Sequence, residues 1–371
     1  MKPNILYVSP FFYPEKISSA KYNKYLVDNL KRKINVDVFC MHPFYPDWYS
    51  KKVNNFKDVY RPNWLPNFPK SMLKKRLLLE VGFFLHSLKF LVLSKKKYDC
   101  IVCVSPPSLF LIISLFYKKS ILIVHDLQSV HSAKSHSKTL FLISSVINHI
   151  EKLFFSFFKN KIFLSYEMLN KVNLPNSNVF YPPITINKNY VISNNNFNCR
   201  SIIYSGALGE KQNPILLLDL LKKFINKNNN FHVHIYSSGD FFNHCKLKFS
   251  CENIHFHNLV DEKDLFSLYN NDAIHIIPQK KGTSSCSLPS KISNLIYCNS
   301  KTLTITDSNS ELDQIMKNYK NNLSVYNWDY RELSINIMKL SQQKRENTEH
   351  GFIKNFHISE IVNHIVQYIK N

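Results

Sequence analysis

Glycine is the residue this chain almost does without, with six among 371. Four of them, Gly206, Gly209, Gly239 and Gly282, lie in the second half, each just after an apolar run that reads as a strand. In so glycine-poor a chain these mark places where backbone turns sharply or approaches a ligand closely. In an open α/β sheet, turns at the carboxyl ends of strands are where a nucleotide phosphate is commonly held. Long apolar runs are missing too. Stretches such as residues 109–117 fall short of the ~20 residues a spanning helix needs, so no integral membrane segment is expected. Met1 leads straight into the strand-like N-I-L-Y-V-S, so no signal peptide is expected either.

Acidic residues are few: 26 Asp+Glu against 48 Lys+Arg leave a net charge of +22. The partners this charge favours are anions, whether nucleic acid, acidic lipid headgroups or phosphorylated small molecules. Part of it reflects a chain-wide abundance of Lys, Asn, Ile and Phe. The eight cysteines are scattered, and the close pair Cys100 and Cys103 lies inside the apolar run C-I-V-C-V. Free core thiols in a reducing cytoplasm are the expectation. There is no zinc spacing, P-loop, G-x-S-x-G or paired C-x-x-C, so neither a metal nor a cofactor is expected.

With 371 residues and 44% apolar content, two domains are the default. Strand signals at Ile5–Ser9, Val36–Cys40, Cys100–Val104, Ser120–Val124 and Ile162–Ser165 alternate with helical spacing over 20–33, 71–94 and 140–158. Residues 43–69, rich in proline and aromatics, read as a long loop. A polar segment, Pro182–Asn198, is the linker. Alternation restarts with strands near 202–205, 232–236, 254–256, 273–277 and 302–306. The expectation is an α/β chain of two Rossmann-like, doubly wound domains facing a central cleft. Their bounds are 1–185 and 186–350, with a C-terminal helix over 351–371 that could pack on either.

Four loops of the second domain could converge on a ligand. Ser205, Gly206 and Gly209 allow backbone amides to approach a diphosphate, and Lys211 supplies a cation. Ser238 and Gly239 end the next strand. Gln279, Lys280 and Ser285 lie in the third loop, and Ser290, Lys291 and Asn294 follow Pro289 at a helix start suited to an anion. Each alone also reads as an exposed turn with a solvated lysine. In the first domain His125 and Asp126 follow an apolar strand and are expected on the cleft edge, where they could orient a sugar hydroxyl or position an acceptor. The same His could instead cap a helix start. Lys74, Lys75, Arg76, Lys95, Lys96 and Lys97 bracket an apolar helix with a single acid, Glu80. Such a helix is either buried or lies partly in anionic lipid.

Taken in order, N-I-L-Y-V-S-P-F-F-Y-P-E, M-H-P-F-Y-P, V-S-P-P-S-L-F, V-H-D-L, Y-S-G-A-L-G-E-K-Q and P-Q-K…L-P-S-K-I-S-N resemble the GT-B glycosyltransferases of retaining family 4. The branch is the one that builds bacterial exopolysaccharide and O-antigen, colanic-acid type included. The resemblance implies that Lys211 and Lys291 contact the donor diphosphate, with Gly206 and Gly209 allowing close backbone approach. It puts His125 and Asp126 on the acceptor side and the 237–239 chain beside the nucleotide base. Three departures stand out. Cys286 and Asn294 occupy the positions of the family's paired glutamates, Glu15-Lys16-Ile17-Ser18-Ser19 replaces a glycine-rich turn, and Ala207 replaces an arginine.

The resemblance implies a retaining transferase that moves a sugar from a nucleotide-diphosphate donor to a lipid-diphosphate-linked saccharide or glycan acceptor. It would act in capsule, O-antigen or exopolysaccharide synthesis. It would be cytoplasmic, held peripherally to the anionic inner face of the cell membrane, with no nucleic-acid partner. The alternative is a non-catalytic GT-B nucleotide-sugar or glycan-binding partner, given the absent glutamates. A nucleic-acid binder and a GT-B sugar-nucleotide epimerase are further rivals.

Overall fold

The computed structural model describes residues 2–45, 47–127, 149–186 and 197–371. The chain divides into two compact units. One is drawn from residues up to Tyr181 together with His357–Asn371, the other from Pro182–Phe356.

The first unit is built on seven strands: β1 (Asn4–Val8), β2 (Asn35–Phe39), β3 (Val59–Tyr60), β4 (Cys100–Ser105), β5 (Ser120–Val124), β6 (Asn160–Phe163) and β7 (Ser177–Val179). All neighbours are parallel, in the order β3-β2-β1-β4-β5-β6-β7. The second unit has six: β8 (Ser201–Ser205), β9 (His232–Tyr236), β10 (Ile254–His257), β11 (Ile274–Pro278), β12 (Lys301–Thr306) and β13 (Asn322–Tyr326). They too are parallel, in the order β10-β9-β8-β11-β12-β13. Each sheet starts in the middle and reverses direction of growth once, between β1 and β4 and between β8 and β11. Such a switch point leaves a crevice beyond the carboxyl ends of the two strands.

The central strands read as unbroken apolar runs because both faces of a parallel sheet are covered by helices. Ile5, Leu6, Ile101, Val102, Ile121 and Leu122 are wholly buried. The helix Pro214–Ile225 buries Leu217, Leu218, Leu221, Phe224 and Ile225, a helically spaced stripe. Each such side chain contributes about 1.5–3 kcal/mol when fully buried. Pro214 sits at its first position, where the missing N–H costs no hydrogen bond.

Three strands escape the sequence reading. β3 lies inside the stretch read as loop, and β7 and β13 are only half-buried in pattern, so their apolar signal is weak. The C-terminal helix expected over 351–371 is two helices, His350–Lys354 and Ile358–Lys370. The first stays with the second unit, where Ile184 donates its N–H to the Phe356 carbonyl at 2.9 Å. The second buries Ile361, Val362, Ile365, Val366 and Ile369 on the first unit, where Lys119 reaches the Ile369 carbonyl at 2.7 Å. Of the helix expected over 140–158, residues 149–156 are helical and 140–148 lie outside the described residues, as do 187–196 of the expected linker.

Candidate site at the carboxyl ends of the second sheet

The switch point of the second unit brings together Ser205-Gly206, at the end of β8, and Gln279-Lys280, after β11. Gly206 has φ +129°, a backbone conformation L side chains rarely adopt, and its N–H bonds the Tyr236 carbonyl at 2.9 Å. A Cβ built there would meet the Lys291 ammonium at 3.6 Å. Lys291 reaches this point from the first turn of the helix Lys291–Tyr297. Its Nζ is buried, has no hydrogen-bond partner, and lies 3.9 Å from the centroid of the Tyr204 ring. Burial pulls its pKa from 10.5 down to about 7. Such an ammonium calls for an anion.

The surrounding loops are sewn to one another. Lys211 donates from Nζ to Ser287 Oγ at 3.2 Å, while its carbonyl accepts the Lys280 N–H at 2.7 Å. Ser237 Oγ accepts the Leu208 N–H at 3.0 Å, tying the 205–212 loop to the loop of Ser238 and Gly239, the latter at φ +95°. Gln279 donates to the Ser287 carbonyl at 3.0 Å and accepts from Thr306 at 3.3 Å. Gly209 donates its N–H to Gln212 Oε1 at 3.0 Å. Ser205 shares a 2.9 Å hydrogen bond with Tyr269. Nearby His275 is buried with Nε2 unpartnered; burial, then the charges of Lys291 and Arg345, hold its pKa at about 3.

Other expected residues are engaged elsewhere. Lys280 pairs with Glu210 at 2.8 Å on the surface. Ser290 is exposed and its side chain caps no helix. Ser285 is half-buried. Asn294 spends its amide on Thr185, accepting that residue's N–H at 2.9 Å and donating to its Oγ1 at 3.1 Å. Ser237 belongs to the 237–239 chain expected at the site, whereas Tyr204, Ser287 and His275 were not singled out from sequence. Ser287 and His275 carry no motif, and Tyr204, although it opens Y-S-G-A-L-G-E-K-Q, reads there as a strand residue.

In the first unit His125 is buried rather than at an edge. Its N–H extends the sheet ladder to the Ser105 carbonyl at 3.0 Å, and its ring lies edge-on to Tyr22 with centroids 4.5 Å apart. Nε2 has no partner, and burial, opposed by Asp126, holds the pKa at about 4. Asp126 is half-buried, while His131 and His136 lie outside the described residues. Glu15 accepts the N–H groups of Phe44 (2.9 Å) and Tyr45 (2.6 Å) through Oε1, and burial lifts its pKa to about 7 against those bonds and Arg61.

The apolar helix α2 (Met72–Leu93), which follows α1 (Ser18–Lys31) along the chain, is neither fully buried nor a membrane span. Phe83 and Leu79 are core, but Leu73, Leu77, Val81, Leu85 and Val92 are exposed along one stripe. Lys74, Arg76, Lys95 and Lys97 are exposed, whereas Lys75 is half-buried. Lys96 forms an ion pair with Asp37 at 2.8 Å, an engagement the sequence did not signal. Among the described residues no group of three His, Cys, Asp or Glu side chains could hold a metal ion.

No family model and no curated protein sequence matches the chain. Solved structures do match along its whole length. Sucrose-phosphate synthase from Thermosynechococcus elongatus is 14% identical with a TM-score of 0.73, covering 100% of this chain and 98% of that one. The catalytic domain of starch synthase IV from Arabidopsis thaliana, bound to ADP and acarbose, is 12% identical with a TM-score of 0.65, covering 100% and 99%. UDP-N-acetylglucosamine 2-epimerase from Rickettsia bellii is 13% identical with a TM-score of 0.62, covering 100% and 98%. At these identities the likeness establishes the fold, GT-B, as the sequence led us to expect.

Proposed function

We propose that the protein is a glycosyltransferase that takes a sugar from a nucleotide-diphosphate donor, bound by the second unit, and transfers it with retained configuration. The observation that carries this reading is Lys291: a buried ammonium without a hydrogen-bond partner, beside the positive-φ turn of Gly206, at the sheet's switch point. A starch synthase of the same fold was solved with ADP, which supports a nucleotide diphosphate as the ligand. In the reaction the bond between the anomeric carbon and the diphosphate oxygen breaks, and the electron pair leaves with the diphosphate. Lys291 and Lys211 stabilise that growing negative charge. An acceptor hydroxyl attacks the same face of the sugar and passes its proton to the departing diphosphate oxygen.

The acceptor in this reading is a lipid-diphosphate-linked saccharide or a glycan of a cell-surface polysaccharide, and the first unit receives it near Asp126. The exposed stripe of α2, with Lys74, Lys95 and Lys97 near its ends, suits the anionic cytoplasmic face of a membrane.

Lys211→Ala tests the leaving-group role. Turnover of the donor should fall by ~100-fold or more while the fold survives, and near-normal turnover would end it. Because an epimerase shares the fold, the products decide between the readings. Sugar transferred to an acceptor supports this one, an epimerised nucleotide sugar points to the other, and tight donor binding without either product indicates a non-catalytic partner.

A further inference from the structure

At the carboxyl end of the first sheet the loop after β2 carries a floor of aromatic rings. Trp48 packs on Phe68 (centroids 5.0 Å), Phe44 (5.7 Å) and Tyr45 (5.7 Å), and Phe44 packs in turn on Phe11 at 5.5 Å. Phe44 is buried beneath, while Tyr45 and half-buried Trp48 present ring surface to solvent. The loop is held from below by the Glu15 carboxyl, which accepts the N–H groups of Phe44 and Tyr45. Trp48 adopts φ +56°, a conformation that bulky residues rarely take and that persists only where surroundings over-determine it.

Charge is arranged around these rings. The Lys75 ammonium lies 5.4 Å from the Trp48 ring centroid, and exposed Arg76 follows it on the first turns of α2. Asp126 and Arg76 both act on the Tyr45 phenol, the carboxylate raising its pKa and the guanidinium opposing that, with burial the larger influence. Together with Phe11 and Glu15 after β1, these residues follow strands β2, β3 and β5 in the chain.

Aromatic faces carry negative charge density and attract the polarised C–H groups on one face of a pyranose. A carboxylate beside them accepts sugar hydroxyls, and two cations nearby select an anion. We propose that Tyr45 and Trp48 stack one pyranose ring of the acceptor, with Lys75 and Arg76 receiving an anionic group attached to that ring. This rests on the reading of the first unit as the acceptor side. The anion can be a sugar carboxylate or a phosphate ester, which present the same chemistry to the two cations.

Saturation-transfer NMR on the full chain separates the sources, with glucose 1-phosphate, methyl glucuronide and methyl glucoside as probes. Wild type should saturate the C–H protons of one sugar face and bind at least one anionic probe ~10-fold more tightly than the glucoside. The probe preferred, phosphate or carboxylate, identifies the acceptor's anion. Lys75→Gln with Arg76→Gln should remove that preference but keep stacking. Trp48→Phe should retain binding and Trp48→Ala should abolish it. Binding unaffected by Trp48→Ala, or no preference for either anion, overturns the proposal. So does loss of vesicle binding in Trp48→Ala when no saccharide binds wild type, since the rings would then serve lipid. A thermal shift with UDP, GDP or TDP reports folding of each variant. Its absence in wild type would count against the donor reading alone.

Discussion

The Lys291 ammonium lies 3.9 Å from the centroid of the Tyr204 ring and makes no hydrogen bond. The ring face offers a cation less than a phosphate would, a few tenths to ~2 kcal/mol, so the lysine is poised to exchange one contact for the other. With a pKa near 7, its charge state is itself sensitive to neutral pH.

That sensitivity should appear in binding. A diphosphate takes the protonated lysine, so affinity for nucleoside diphosphate should rise as pH falls from 9 towards 6, by up to ~10-fold per pH unit for one linked proton. Calorimetric titration across that range measures it. Lys291→Met should bind weakly and lose the dependence, and a wild-type affinity flat in pH would refute the assignment. Stability carries the opposite sign. Between pH ~7 and ~10 the unfolded lysine binds a proton that the folded one lacks, so this contribution rises with pH and should vanish in Lys291→Met.

Gly206→Ala introduces a side chain at φ +129°. The strain should cost about 1–3 kcal/mol of stability. The new methyl also meets Lys291 Nζ at 3.6 Å, so diphosphate affinity should drop as well. Chemical denaturation and calorimetry read the two effects separately. Wild-type values in both would mean that the turn imposes no constraint.

Glu15 titrates the other way from a typical carboxylate. Its folded pKa of about 7 stands above the ordinary 4.5. The neutral form is therefore the one the fold favours, and its contribution is lost as pH rises through 7. Glu15→Gln keeps an acceptor for the Phe44 and Tyr45 amides without the charge. Its melting temperature relative to wild type should climb between pH 5 and pH 8. Parallel pH profiles for the two proteins would remove the buried-carboxyl account.

The lysine triplet should not act as a unit. Lys95→Gln with Lys97→Gln should weaken binding to anionic vesicles by ~10-fold or more. Lys96→Gln should scarcely change it, because Lys96 is held by Asp37 at 2.8 Å. That substitution should instead destabilise the fold by roughly 1 kcal/mol, a modest figure because the lysine side chain is 56% exposed. Sedimentation with vesicles and thermal unfolding separate the two effects. Equal loss of vesicle binding from all three changes would contradict this division.

Most of the strands, and their division into two sheets, were legible because strands buried on both faces must be written as continuous apolar runs, as in Cys100–Val104 and Ile121–Val124. Half-buried strands such as Asn322–Tyr326 were not, since solvent on one side frees half their residues from that rule. Glycine scarcity pointed to Gly206 because a positive φ excludes most other residues. Nothing local could tell that Asn294 would bond Thr185, 109 positions away, or that Lys96 would meet Asp37.

By itself, then, the sequence determined the alternation of strand and helix, the turns at the strand ends and the excess of positive charge, because each is written in neighbouring residues. Only the tertiary structure decided which cations are spent on carboxylates and which stay buried without a hydrogen bond. It also decided which side of α2 meets water, because these depend on what the chain brings alongside from far away in sequence.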